Sequence, residues 1–242
     1  MRPKSPRAPL PVALTQPSAG RVLLLAPHAD DDVLGPGGTV CLHRDAGDPV
    51  KVVVLYNGVV GAPNDSYTPE AIAQLRREEA RRGGAHLGLD DYEFFDYPEG
   101  HFPGPAEFEA ASKRLRGILE EFKPDIVYAP WIGEYHLDHH IACRVIRAAL
   151  GEVKYTGEAW GYEVWTPLIA DRIVDITPVI ERKKAALLEH ASQLEHTDFV
   201  HKSLGLSAQR SLYLPKGALY GEAFCALADP ASGRDKGSCG HE

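Results

Sequence analysis

The chain is poor in sulfur: four cysteines and one methionine among 242 residues. Cys41, Cys143, Cys225 and Cys239 form no C-x-x-C pair, which argues against a cysteine-held zinc site and a thioredoxin-type redox motif. Cys41 and Cys143 fall in apolar helical contexts and read as small core residues. Long apolar runs are missing too; none approaches the ~20 residues needed to span a bilayer. Met1 to Gly20 holds five prolines and no continuous apolar stretch, so it is not read as a signal peptide, and cytoplasmic residence is the expectation. Positive charge is in deficit: 26 Lys and Arg stand against 34 Asp and Glu, a net charge of −8. Nucleic acid is therefore an unexpected partner, because its phosphates would be repelled. No membrane partner is expected, and a homo-oligomer remains compatible with the composition.

What is present is an alternation of strand and helix signals. Arg21–Ala26, Val50–Tyr56, Tyr92–Phe95 and Ile126–Ala129 read as short buried strands. Between them lie helices opening at Gly35–Gly38, running from Pro69 to about Leu87, over Ala106–Phe122 and over about Asp138–Leu150. Later strands fall at Ala159–Trp165, Arg172–Asp175 and Leu219–Leu227, with a helix from Thr177-Pro178 to about Leu194. This order predicts an α/β, Rossmann-like fold, a mainly parallel sheet with helices on both faces. The expected organisation is a flexible N-terminal arm over 1–20, one domain over 21–228 and a polar C-terminal tail over 229–242.

Two polar clusters interrupt this pattern at equivalent places. Pro27-His28-Ala29-Asp30-Asp31-Asp32 follows the first apolar strand, and His136-Leu137-Asp138-His139-His140 follows the strand ending at Pro130. Crowded carboxylates at the edge of a core repel one another and lose solvation unless a cation holds them. A single Asp or His after a strand is ordinarily a turn former or helix cap. The same arrangement at two strand ends, where parallel sheets bind ligands, points to one metal site assembled by the fold.

These motifs resemble the LmbE-like, PIG-L-type zinc-dependent deacetylases. P-H-A-D-D-D followed by G-P-G-G is similar to that family's P-H-P-D-D-E signature, and H-L-D-H to its H-P-D-H. Arg76-Arg77-Glu78-Glu79 with Leu87-Gly88, Pro98-Glu99-Gly100, His190-Ala191-Ser192-Gln193 and Tyr220-Gly221-Glu222-Ala223-Phe224 match further family segments in order. The resemblance implies an N-acetylglucosaminyl deacetylase type of hydrolase acting on a small-molecule N-acetyl amino sugar or conjugate. It assigns His28, Asp31 and His139 to a Zn2+ ion, with Fe2+ as the alternative. Asp30 becomes the general base towards water at the metal, and His136 the acid or oxyanion stabiliser. Asp138 becomes the partner that orients and charges His136, and Arg76 a substrate-hydroxyl contact. Ala29 and Leu137 replace prolines of the family pattern, and Asp32 replaces a glutamate. Glu134 stands where some members carry a catalytic tyrosine, with Tyr135 one place off.

Two other readings compete. His28-x-Asp30 with His139 also spells the two-His, one-carboxylate triad of non-haem Fe(II) oxygenases, although those enzymes favour β-rich barrels. A sugar-binding relative without catalysis is the other, and retention of Asp30 and His136 speaks against it. For Arg76 and Glu79 the simple alternative is a surface ion pair one helical turn apart. For His190 it is a packed helical histidine.

Overall fold

A computed structural model describes residues 10–62 and 67–227. Eight strands form one sheet: β1 (Val12–Leu14), β2 (Val22–Ala26), β3 (Val50–Tyr56), β4 (Asp91–Tyr97), β5 (Ile126–Pro130), β6 (Glu158–Tyr162), β7 (Arg172–Asp175) and β8 (Gly221–Ala226). Their spatial order is β1-β7-β8-β6-β5-β2-β3-β4. Every pairing is parallel except those of β8, which runs antiparallel to both β6 and β7. The chain is thus an α/β, Rossmann-like protein, with a mostly parallel sheet and helices on both faces.

The apolar runs become strands covered on both sides. In β2, Val22, Leu24 and Ala26 face one core and Leu23 and Leu25 the other. This is the period-2 alternation of a strand with no solvent face. Helices α2 (Gly37–Asp45), α3 (Pro69–Leu87) and α6 (Ile180–Leu188) cover the first face, α4 (Pro105–Phe122) and α5 (Leu137–Glu152) the second. Helix α3 shows its boundaries in the sequence. Thr68 Oγ1 accepts from the Ala71 amide at 3.2 Å, Pro69 occupies the first turn, and Gly88 closes the end at φ 80°.

Several expectations are revised. Residues 1–20 are not wholly an arm: Val12–Leu14 adds a parallel edge strand to β7, because that edge offers unpaired backbone groups. The tail expected over 229–242 lies outside the described residues. The helix expected to open at Gly35–Gly38 is split into α1 (Asp31–Leu34) and α2, and the glycines serve close packing. A Cβ on Gly35 would sit 2.4 Å from the Tyr162 ring, and one on Gly38 2.7 Å from Ile176. The single helix expected from Thr177 breaks into a 3-10 turn, α6 and α7 (Ala191–Leu194). A twelve-residue helix, α8 (Phe199–Arg210), has no counterpart among the expected elements.

Candidate metal centre and active site

The strands β2 and β5 are adjacent and parallel, and from them the sheet grows in opposite directions, through β3 and β4 on one side and β6 on the other. Such a switch point leaves a crevice beyond the carboxyl ends of the strands. The two polar clusters sit there. His28 and Asp30 follow β2 and Asp31 opens α1; His136 is the N-cap of α5, and Asp138 and His139 lie in its first turn.

Asp31 is the convergence point. Its Oδ2 lies 3.1 Å from His28 Nδ1 and 3.1 Å from His139 Nε2, and it also accepts the His28 amide at 2.9 Å. His139 and Asp31 are buried and His28 is nearly so. The three donors lie within 4.8 Å of one another. Tetrahedral zinc with bonds of ~2.0–2.2 Å would separate its ligand atoms by about 3.3 Å, so this spacing suits a metal. His139 Nε2 faces a carboxylate oxygen at 3.1 Å and the Trp165 indole N–H at 3.3 Å, while its Nδ1 is buried without a partner. The nitrogen and the carboxylate oxygen face each other at a separation that two ligands of one cation would have.

The electrostatics point the same way. Burial opposes charging of His28, but hydrogen bonds to Asp138 and Asp31 and the charges of Asp31 and Asp30 hold its pKa well above the ordinary value. Burial would raise Asp31, yet His139 and His28 outweigh it and keep the carboxylate ionised. The site thus demands positive charge, and a divalent ion could replace the imidazolium proton. Asp30, only 4% exposed, is pushed up to about 7, first by burial and then by the Asp31 charge.

The remaining candidates fall in different places from those the resemblance implies. Asp138 was expected to orient His136. Its Oδ2 instead bonds His28 Nε2 at 3.1 Å, its Oδ1 accepts the Gly100 amide at 2.9 Å, and His136 Nδ1 is 3.9 Å away. Residues two apart at a helix start do not face each other, whereas His28 projects across the crevice. His136 is 41% exposed at the side chain, and its pKa is lowered by burial and by the neighbouring His28 and His139. Arg76 was expected to touch substrate. It is 4% exposed, with one terminal nitrogen on Ser192 Oγ at 2.8 Å and the other on the Gly61 carbonyl at 2.6 Å. Glu79 accepts from the Ser192 amide at 2.8 Å and from its hydroxyl at 2.5 Å, so Arg76 is part of a buried network behind Asp30. Asp32 turns away from the crevice to accept the Tyr92 hydroxyl at 2.6 Å.

Three contributors had no role assigned from the sequence, although Glu99 and Glu134 were noted there. Glu99 Oε2 lies 3.5 Å from His28 Nε2, and its Oε1 accepts the Val60 amide at 2.5 Å. Trp165 stacks on His136 with ring centroids 6.1 Å apart. Glu134 is buried and receives the Val164 amide at 2.6 Å and the Trp165 amide at 3.2 Å, holding the indole in place. The strand expected over Ala159–Trp165 ends at Tyr162, which puts Trp165 past its carboxyl end, beside His136 and His139. Tyr135 is 92% exposed.

Two imidazoles and a carboxylate gathered at a switch point define an α/β protein with a candidate three-donor metal centre. A match to the family described as "PIG-L: GlcNAc-PI de-N-acetylase" covers residues 23–150, just over half of the chain, and the protein belongs to that family. The diacetylchitobiose deacetylase of Thermococcus kodakarensis is 30% identical over 125 residues, covering 50% of this chain and 46% of that enzyme. A 1D-myo-inositol 2-acetamido-2-deoxy-alpha-D-glucopyranoside deacetylase of a Mycobacterium species (strain KMS) is 27% identical, covering 72% and 74%. The 4-oxalmesaconate hydratase of Pseudomonas putida is 26% identical, covering 78% and 81%. Among solved structures, the N,N'-diacetylchitobiose deacetylase of Pyrococcus horikoshii superposes with a TM-score of 0.73 at 27% identity, covering 86% of this chain and 84% of that one.

Proposed function

We propose that this protein is a zinc-dependent hydrolase that removes the acetyl group from an N-acetylated amino sugar or sugar conjugate. The observation that carries the reading is the approach of His28 Nδ1 and His139 Nε2, from two strand ends, to a single oxygen of Asp31 beside the buried Asp30. Family membership and the deacetylase relatives support the reaction class. His28, Asp31 and His139 would hold the ion. Bound there, zinc would supply a Lewis acid and bring the pKa of water towards ~7.

The chain's own groups do the rest. Asp30, buried beside the site, accepts the proton of the attacking water and returns it to the departing amine. Water and amide become acetate and free amine. His136, on the open side of the crevice, donates its N–H to the acetyl oxygen as negative charge develops there. Its depressed pKa leaves a neutral imidazole, which still carries the required N–H. Asp138 fixes the ring of His28 through Nε2, so that Nδ1 faces the ion. Arg76 sets the field behind Asp30.

The test separates holding the metal from using it. His139→Ala is expected to lose bound metal and acetate release together. Asp30→Ala should retain near-stoichiometric metal and lose about 10²–10⁴-fold in kcat. Metal analysis with the reverse pattern would overturn the assignment. Metal analysis of the native protein also distinguishes Zn2+ from Fe2+. Hydration of an unsaturated tricarboxylate with no acetate release from any acetamido sugar would move the chain to the hydratase branch of its relatives.

A further inference from the structure

The proposed reaction gives the acetyl oxygen one donor from this chain, His136, and leaves a second donor beside it unused. The Trp165 ring is 44% exposed, yet its N–H is directed inward, at His139 Nε2, 3.3 Å away. The indole stacks on His136 with an interplanar angle of 24°, and the His136 and His139 ring centroids are 5.0 Å apart. Indole N–H, His136 ring and His139 Nε2 thus lie together at the open side of the candidate centre. An indole N–H donates and cannot accept. It takes the lone pair of His139 Nε2, which is the lone pair that an ion held by this nitrogen would use. The hydrogen bond and the metal exclude each other, so a filled site frees the donor where the reaction takes place.

The segment that carries the ring is fixed at several points. Glu134 accepts the amides of Val164 and Trp165. Glu163 accepts the Leu168 amide at 2.7 Å and is itself held by Arg210 Nε at 2.7 Å. Phe199 packs edge-on against the indole, with centroids 5.6 Å apart. A donor anchored in this way needs little reorganisation when charge develops in front of it. Neither neighbour along the loop after β5 competes for the role: the Glu134 carboxylate is turned to backbone amides, and Tyr135 points into solvent.

We infer that the Trp165 N–H is a second donor to the acetyl oxygen, acting beside His136 as negative charge gathers there. The indole keeps its proton throughout; its hydrogen bond strengthens as the charge grows. The inference rests on the deacetylase reading and deepens it. Trp165→Phe retains a ring for His136 and Phe199 and removes only the N–H. In the zinc-loaded full chain, assayed on methyl 2-acetamido-2-deoxyglucoside, kcat is expected to fall about 10²-fold, with KM and bound zinc unchanged. A second readout is independent of turnover. In the nitrogen-15 spectrum of the wild type, the indole resonance that is missing from Trp165→Phe belongs to Trp165. It should move when zinc takes its imidazole acceptor and move again when acetate, the acyl product, is added. The Trp160 resonance, whose N–H is bonded to Glu158 at 2.8 Å, should stay in place. An unchanged kcat in Trp165→Phe, a fall that tracks lost zinc, or a Trp165 resonance indifferent to acetate overturns the role and leaves the deacetylase reading intact. If the wild type releases no acetate, the deacetylase reading falls and the resonance alone decides: movement with acetate upholds the donor, and stillness overturns it.

Discussion

His190 is 2% exposed, and neither ring nitrogen has a hydrogen-bond partner. Burial, then the charge of Arg76, pushes its pKa down to about 4. In an unfolded chain it would titrate near 6.5. Between those values the unfolded chain binds a proton that the folded one refuses, so stability falls as pH drops through that window and is constant above it. The contribution is about 2 kcal/mol between pH 7 and pH 5. Buried Asp30, with its pKa raised to about 7, acts in the opposite direction over the same window, so the contribution is read as a difference: in urea unfolding of metal-free protein at both pH values, the wild type should lose about 2 kcal/mol relative to His190→Gln. An equal change in wild type and variant would remove His190 from the acid response. The same histidine shows what a sequence cannot announce. The segment His190 to Gln193 is plain in the chain, but Gly83, whose added Cβ would lie 2.8 Å from His190 Nε2, comes from a helix about a hundred residues earlier.

At the scale of elements, one buried ion pair ties four segments together. Lys183 Nζ on α6 meets Glu222 Oε1 on β8 at 2.7 Å and donates to the carbonyls of Leu34 and Gly35. Glu222 also accepts the amides of Gly38 and Thr39 at 2.7 Å each. A carboxylate at the first turn of α2 satisfies amides that the helix leaves unpaired. The pair therefore fixes the α1–α2 corner on which Asp31 sits. Removing one partner leaves a buried charge uncompensated, so Lys183→Met or Glu222→Gln should each cost about 3–5 kcal/mol. The double variant should cost less than the sum, as a cycle of denaturant unfolding would measure; strict additivity would mean that the two do not interact. Helices such as α3 were readable because their caps and periodicity are local; α8 also opens on a local cap, Asp198, whose side chain accepts the His201 amide at 2.9 Å, but no expected element used that signal.

At the scale of the molecule, the family match ends at residue 150, before three of the eight strands. The last strand does not lie at an edge. It inserts antiparallel between β6 and β7, so the sheet closes only when the C-terminal strand arrives. A chain ending at residue 218 would lack β8, expose two strand edges and strand the Lys183 ammonium. It should show no cooperative thermal transition and should be degraded quickly by protease; a sharp transition at the wild-type Tm would show that β8 is dispensable. Among the described residues no helix is long and apolar enough to cross a membrane.

The sequence by itself determined the strand and helix alternation, the parallel character of the sheet and the two polar clusters after β2 and β5. Each is a local pattern: an apolar run, a cap, or several donors within six residues. Tertiary structure alone decided the pairings across distance. Asp138 hydrogen-bonds His28 and lies 3.9 Å from His136, Arg76 is spent on Ser192 and Gly61, and Trp165 walls the crevice. Those partners come from segments brought together by strand order, and no spacing along the chain encodes which of several neighbouring carboxylates an imidazole will face.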